Sequence, residues 1–321
     1  MPKPEIVILD AHAANPGDLS WEKIAELGNL TVHQHCPLSE EEVLCRCEGK
    51  EIVITNKVRF TARIMDALPQ LKLIALEATG YNNIDIDAAR ERGIAVCNVP
   101  GYSTDSVAQL AFAFLLELAS GVSRQDAAVK KGEWSKAPDF TFYACPLMEL
   151  AGKTLGIFGF GTIGQKVARI GAAFGMRVIY FSRTPRGTDL GTPVPLEQLF
   201  SESDVLSLHA PMTPQTANVV NQKHLALMKP TAFLINTARG GLVESDALAD
   251  ALNSGRLAGA GLDVVDAEPP PANHVLLHAK NCLVTPHTAW GTHEARKRLI
   301  DELSEIVRSY LAGNPIHQVN R

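Results

Sequence analysis

Three polar residues stand just beyond apolar runs in the second half of the chain, and their types suit one another. Arg239 follows "FLIN" in "INTARGG", Glu268 follows "GAGLDVV" in "GLDVVDAEPPP", and His287 follows "CLVT" in "VTPHTAW". A guanidinium grips a carboxylate through two parallel hydrogen bonds, an imidazole passes a proton near neutral pH, and a carboxylate orients that imidazole and favours its charged form. Singly, each residue has a plain structural use; jointly they describe an acid–base pair beside an anion clamp. Upstream, Gly159, Gly161 and Gly164 in "GFGTIGQ" fall between an apolar strand and a helix-like run. The first glycine permits a tight turn, the second lets backbone approach a pyrophosphate, and the third lets helix lie close to strand. A helix N-terminus adds oriented N–H donors, so this segment reads as a dinucleotide site.

A chain that grips NAD through such a turn usually offers an acid about 20 residues on, for the ribose hydroxyls. Here Ser182 and Arg183 occupy that place, with Thr184 and Arg186 close behind and no acid before Asp189. A guanidinium attracts a 2′-phosphate that a carboxylate would repel, so the pattern favours NADP(H) over NAD(H). Arg183 stacked on adenine or facing solvent is the alternative, and it would leave NAD(H) acceptable.

The elements that must position these groups alternate. "EIVILD", "LTVHQH", "EIVIT", "LKLIAL" and "IAVCN" read as strands, with helical stretches between them such as "SEEEVLCRCEG", where Ser39 and Glu42 form a capping box and Gly49 a stop. A second series runs through "TLGIFGF", "RVIYFS", "DVLSLH", "TAFLIN", "GAGLDVV" and "CLVT". Alternating βα with near-continuous apolar strands means parallel sheets covered on both faces, so the fold class is α/β with two doubly wound sheets. Ligands then gather beyond the carboxyl ends of the strands, where Arg239, Glu268 and His287 stand. The two series are joined by the apolar helix "STDSVAQLAFAFLLELAS", started by Ser103 or Thr104. It is expected to be buried at a domain or subunit interface, and a homodimer is expected with it. The last helix carries Leu299, Ile300, Leu303, Ile306, Val307, Tyr310 and Leu311 as one apolar stripe, ended by Gly313 and Pro315.

Composition narrows the class. A length of 321 residues exceeds one comfortable core, and 46% hydrophobic with 20% charged residues is ordinary for a globular protein. The net charge of -5 comes without a Lys/Arg block, which argues against nucleic acid or a membrane as the main partner. The start has too short an apolar run for a signal core, so a cytoplasmic chain with its six cysteines reduced is expected. Cys45/Cys47 and His33/His35 prompt a metal site. Alternation on one strand accounts for the histidines and no matching second half appears, so no metal is expected.

The motifs "ATGYNNID", "NVPGYSTDSVAQ", "GFGTIGQ", "NTARGG", "GLDVVDAEP" and "TPHTAW" follow one another in the order seen in one family. Over nearly its whole length the chain resembles the NAD(P)-dependent D-2-hydroxyacid dehydrogenases. The resemblance implies a Rossmann-type nucleotide domain, residues 101–288, inserted into a flavodoxin-like substrate domain of residues 1–100 and 289–321. The last helix would cross back onto the N-terminal part. It further implies reversible hydride transfer between NAD(P)H and a 2-oxo acid. Arg239 would hold the substrate carboxylate and carbonyl, His287 would be the acid/base, and Glu268 would pair with it. Thr79, Gly80 and Tyr81 match the loop that cradles the substrate carboxylate. Tyr102, at the crossover, either touches substrate or packs a hinge. Beside the glycines and Ser182, Arg183 and Thr184, the cofactor-contacting places fall on Val107, Thr162, Ile163, His209, Ala210, Pro211, Thr216, Thr237, Ala238 and Asp263. Asp263 would accept from the nicotinamide amide, or else cap its strand. Closure about residues near 101 and 288 would exclude water.

"ATGYNNID" with "PHTAWGTHEARKRL" is most similar to the glycerate dehydrogenase and hydroxypyruvate reductase branch. Trp290 would wall the pocket beside a small substrate side chain, so hydroxypyruvate and glyoxylate are the expected acceptors. A D-lactate-type or other 2-hydroxyacid dehydrogenase is the alternative. Phosphoglycerate is disfavoured because no long regulatory extension or extra phosphate cluster is seen, and formate because Glu268 stands where that branch carries an amide. A dinucleotide-sensing corepressor would share the fold. The joint presence of Arg239, Glu268 and His287 favours turnover.

Overall fold

A computed structural model describes residues 3–184 and 188–321. The chain forms two compact units, one of Met1–Ser103 with Gly291–Arg321 and one of Thr104–Trp290. The first unit is therefore discontinuous in sequence.

Unit 1 alternates β1 (Glu5–Ile8), α1 (Glu22–Ala25), β2 (Asn29–Val32), α2 (Glu40–Cys47), β3 (Ile52–Thr55), α3 (Ala62–Asp66), β4 (Leu73–Leu76), α4 (Ile86–Glu91) and β5 (Ala95–Cys97). Its five strands lie parallel in the order β2-β1-β3-β4-β5. Every residue of β3 and β4 is buried, as apolar strands covered on both faces require. Ser39 starts α2 by accepting from Glu42 N at 3.2 Å, while the Glu42 carboxylate accepts from Leu38 N–H at 2.8 Å instead of from Ser39 N–H. Strand β2 stops at Val32, one residue short of the histidines. Strand alternation therefore does not place them: His33 N still donates to Ile8 O, but His35 lies in the following exposed segment with its ring 5.3 Å from that of His12.

The last helix of the chain, α11 (His293–Leu311), is started by Thr292 and packs on α1 and β4 within unit 1. Leu299, Ile300, Leu303, Ile306 and Val307 are buried as the stripe requires, whereas Leu311 in the last turn is 45% exposed. Beyond Gly313 the chain turns back, and Gln318 bridges antiparallel to Cys97. Asn320 then accepts from Val96 N and donates to Ile94 O, which closes the edge of β5.

Unit 2 begins with α5 (Thr104–Ser120) and α6 (Val122–Lys130). It continues through β6 (Thr154–Phe158), α7 (Thr162–Ala173), β7 (Arg177–Phe181), β8 (Thr192–Pro193), α8 (Leu196–Glu202), β9 (Val205–Leu208), α9 (Gln222–Leu225), β10 (Phe233–Asn236), α10 (Ser245–Asn253), β11 (Gly259–Leu262) and β12 (Cys282–Val284). The seven strands are parallel in the order β12-β11-β10-β9-β6-β7-β8. This is the dinucleotide-binding order with one strand added, and its direction reverses between β6 and β9. Helix α5 buries one face within its own unit, while Gln109, Ala113 and Leu116 are exposed. Ala108, Ala111, Phe112, Phe114, Leu115 and Leu118 pack with Leu155, Ile157, Phe233 and Ile235 in one core cluster of unit 2. Close approach helps, since a Cβ on Gly261 would lie 2.5 Å from Phe114 Cβ. Among the described residues no single helix is long and apolar enough to cross a membrane. All six cysteines are free.

Candidate active site

At the strand-order reversal of unit 2, the turn after β6 meets the segment after β9. Gly159 has φ +94°, and its N–H donates to Phe181 O at 2.9 Å. A Cβ on Gly159 would lie 2.5 Å from Ala210 N and 2.7 Å from His209 C, so only glycine fits both the conformation and the space. A Cβ on Gly164 would lie 2.3 Å from Gly159 O, which lets α7 rest on the turn. Gly161 caps α7, and a Cβ there would meet nothing within 4 Å.

Two buried polar atoms close by lack partners. His209 is held by Ser207 Oγ on Nε2 at 2.8 Å, while its Nδ1 is buried without a partner. Burial pushes this imidazole down to about 3, so the ring is neutral and offers the segment no charge. Thr237 Oγ1, just past β10, is likewise buried and unpartnered. Open space at Gly161, the backbone-lined turn and these two orphaned atoms fit a dinucleotide that brings its own donors and acceptors.

The other expected cofactor positions are more ordinary. Ser182 directly follows β7, and its hydroxyl reaches Thr184 O at 3.4 Å. Arg183 and Thr184 are exposed, and Arg186 lies outside the described residues. Thr216 Oγ1 donates to Pro211 O and accepts from Thr213 N, both at 2.8 Å, which ties that turn to itself. Thr162 and Pro211 are exposed, Ile163, Ala210 and Ala238 half-buried, and Val107 buried on α5.

His287 and Glu268, expected to pair, are in contact. His287 Nδ1 lies 2.6 Å from Glu268 Oε2, with the two side chains 27% and 33% exposed. Glu268 Oε1 accepts from Val265 N–H at 3.3 Å, so both carboxylate oxygens are engaged. His287 has φ +54°, the left-handed region that a side chain seldom adopts, and its N–H donates to Asp263 O at 2.8 Å. Asp263, 1% exposed, holds the same turn with its side chain. Oδ1 accepts from Thr285 Oγ1 at 2.6 Å and Thr288 N at 2.8 Å, and Oδ2 accepts from Ala289 N at 2.8 Å. That is the strand-cap use.

Arg239 is exposed at the end of the β10 turn, with Nη1 on Ala238 O at 2.7 Å. The turn is pinned by Asn236, which donates to Arg239 O at 2.9 Å and accepts from Ala238 N at 3.0 Å. A Cβ on Gly240 would lie 1.9 Å from Val265 O and 2.5 Å from Asp266 N. The Arg239 turn and the Glu268 loop are thus in backbone contact, a closeness that sequence spacing does not reveal. Trp290 is half-buried two residues after Thr288.

In unit 1, Thr79 Oγ1 donates to Val99 O at 2.9 Å and Asn98 donates to Thr79 O at 2.7 Å, so the Thr79–Gly80–Tyr81 loop is fixed at the carboxyl end of β4. Tyr81 is 41% exposed. Tyr102 is 8% exposed, and its carbonyl accepts from Arg298 Nε at 2.9 Å. Among the described residues no three His, Cys, Asp or Glu side chains gather as a metal cluster.

Comparison with known proteins gives these elements a family. Residues 112–289 match the "D-isomer specific 2-hydroxyacid dehydrogenase, NAD binding domain" pattern. The chain is 41% identical to a hydroxypyruvate reductase of Blautia hydrogenotrophica over 99% of its own length and 100% of the other. It is 40% identical to a glycerate dehydrogenase of Methylorubrum extorquens, over 86% of this chain and 87% of that one. Among solved structures it is similar to an NADPH-dependent glyoxylate/hydroxypyruvate reductase of Sinorhizobium meliloti in complex with NADP and malonate. That match has a TM-score of 0.85 and 29% identity, covering 99% of this chain and 97% of the other. With the glycine turn, the reversal in strand order and the His287–Glu268 pair in hand, the chain belongs to the D-isomer specific 2-hydroxyacid dehydrogenases, a family of NAD(P)-dependent oxidoreductases.

Proposed function

We propose that this chain is a glycerate dehydrogenase that reduces hydroxypyruvate and glyoxylate, with NADP(H) preferred over NAD(H). The observation that carries the chemistry is the 2.6 Å contact of His287 Nδ1 with Glu268, in a loop that touches the Arg239 turn. When bound, the dinucleotide supplies hydride to C2 of the 2-oxo acid. His287 holds a proton at Nε2, the ring nitrogen not committed to Glu268, and delivers it to the carbonyl oxygen, giving the 2-hydroxy acid. Glu268 fixes the ring and balances its positive charge while the proton is present. Arg239 binds the substrate carboxylate and stabilises charge growing on the carbonyl oxygen. Thr79, Gly80, Tyr81, Tyr102 and Trp290 are assigned to substrate binding on the match of their motifs to the family.

On the nucleotide side, Gly159, Gly161, Thr162, Ile163 and Gly164 take the pyrophosphate, with α7 contributing its N-terminal N–H groups. His209, Ala210, Pro211, Thr216, Thr237, Ala238 and Val107 line the remainder, and Asp263 accepts from the carboxamide. The NADP(H) preference rests on Ser182, Arg183 and Thr184 standing at the strand end without an acid. The similarity to a reductase solved with NADP supports it.

A homodimer is part of the same reading. Val122, Trp134, Phe140, Tyr143 and Leu147 are 52–86% exposed within one stretch of unit 2, apolar surface that a second copy would cover. The deciding test is initial-rate oxidation of NADPH and NADH with hydroxypyruvate, glyoxylate and pyruvate. Fast NADPH oxidation with hydroxypyruvate supports the reading, NADH alone reverses the cofactor choice, and silence with every pair rejects the enzyme.

A further inference from the structure

Outside the acid–base pair, unit 2 contains a second carboxylate–imidazole contact that the proposed chemistry does not use. Asp266 Oδ1 accepts from Ser245 Oγ at 2.6 Å and lies 2.8 Å from His274 Nε2. His274 Nδ1 accepts from Leu276 N–H at 3.3 Å. A backbone amide can only donate, so the proton of the neutral ring stands on Nε2 and points to Asp266. The His274 side chain is 8% exposed and that of Asp266 49% exposed. Although burial opposes it, hydrogen bonds from Ser245 and His274 hold the Asp266 carboxyl below the ordinary carboxylate range. The aspartate is charged and saturated on one oxygen, with no task of its own in the transfer of hydride or proton.

Its position gives it a task. The Val265–Asp266 peptide is the surface on which the Arg239 turn lies, since a Cβ on Gly240 would fall 1.9 Å from Val265 O and 2.5 Å from Asp266 N. Val265 N–H also donates to Glu268 Oε1. One short piece of backbone therefore sets both the arginine turn and the carboxylate that orients His287. Ser245, in the first turn of α10, and His274, eight residues beyond Asp266, both hold Asp266 Oδ1 and through it tie that backbone.

We propose that Asp266 and His274 are positioning residues for hydride transfer, acting through the Val265–Asp266 peptide on Glu268. The inference rests on the acid–base reading of Glu268 and His287. Loss of the tether leaves the nucleotide turn in place and lets the Glu268 carboxylate wander from His287, so the chemical step slows while cofactor binding holds. Displacements of about 1 Å in a catalytic group cost up to about a hundredfold in rate.

The test compares wild type, His274→Leu, His274→Gln and Ser245→Ala, with hydroxypyruvate and NADPH or whichever dinucleotide the wild type uses. Cofactor Kd is read by nicotinamide fluorescence. His274→Leu is expected to lower kcat about ten- to hundredfold with cofactor Kd within about twofold of wild type. His274→Gln keeps a donor in reach of Asp266 and should recover most of the loss. Ser245→Ala, which removes the other hydrogen bond to Asp266 Oδ1, should fall between them. The decisive arm repeats His274→Leu in a Glu268→Gln background. A tether acting through Glu268 adds little further loss there, whereas a general weakening of the fold multiplies the two losses. Unchanged kcat in His274→Leu, no recovery in His274→Gln, or multiplied losses in the double variant each overturn the inference. Wild type that turns over no 2-oxo acid overturns the reading beneath it instead.

Discussion

His287 is held in a left-handed backbone conformation, φ +54°, by the buried carboxylate of Asp263. A non-glycine residue pays about 1–3 kcal/mol for such a conformation and keeps it only when its surroundings over-determine it. Here the surroundings are three donors on one side chain, Thr285 Oγ1, Thr288 N and Ala289 N, together with His287 N on the Asp263 carbonyl. The turn that aims the imidazole is thus a product of Asp263, a residue 24 positions earlier in the chain.

Asp263→Ala strands those three donors and frees the strained turn. Each buried donor left unpaired costs about 1–3 kcal/mol, partly relieved by water that enters, so a net loss of about 3 kcal/mol is expected. Urea unfolding should show a lower midpoint, and kcat should drop with it. An unchanged midpoint would mean that the turn is held by other contacts.

His287→Ala is expected to lose about 10²–10⁴ in kcat, the usual worth of a positioned proton donor, while NADPH binding is retained. Glu268→Gln keeps the shape and removes the charge, so it should lose less than His287→Ala. Near-normal turnover in His287→Ala would remove it as the acid.

Ser182→Asp restores the acid that would accept from ribose hydroxyls and repel a 2′-phosphate. The ratio of kcat/KM for NADPH over NADH should fall at least about tenfold, which is about 1.4 kcal/mol of discrimination. An unchanged ratio would show that the strand-end residues do not read the ribose.

Much of this molecule is legible in its sequence because its strands are buried on both faces and so appear as apolar runs. β3, β4, β6, β9, β10 and β11 are buried at every residue. The places of Arg239, Glu268 and His287 are legible for a related reason, since each follows an apolar run, although β12 before His287 is only half-buried. What escapes is contact between strand ends. Asp263 meets partners 22 to 26 residues away, two of them backbone N–H groups that have no residue type to read. The pairing of residues 318–320 with the β5 edge is hidden because the segment is short and polar. Position relative to a strand end misleads as well: His33 and His35 look like alternating strand residues, yet β2 has already ended.

Gly240 is a glycine by position only, since no left-handed φ is found there. The Cβ of Gly240→Ala would press on the carbonyl and peptide of Val265–Asp266, backbone atoms that cannot swing aside. The Arg239 turn must then separate from the Glu268 loop. Overpacking of this kind costs about 1–3 kcal/mol, and KM for the 2-oxo acid should rise as Arg239 moves. A variant with wild-type KM and melting temperature would show that the two loops yield freely.

Glu77, just past β4 in unit 1, is fully buried, and neither carboxylate oxygen has a partner. Desolvation first, and then the charge of Asp10, raise its carboxyl well above the ordinary value of 4.5. The folded chain therefore binds this proton more tightly than the unfolded chain does. The group's contribution to stability is complete below the unfolded value and declines as pH climbs towards the folded one, with a slope of up to about 1.4 kcal/mol per pH unit. Glu77→Leu removes the titration and fills the site with apolar atoms. The variant's gain in melting temperature over wild type should widen as pH rises from about 5. A gain that stays flat over that rise would mean that Glu77 is already ionised in the folded chain, with a counter-charge or water satisfying it.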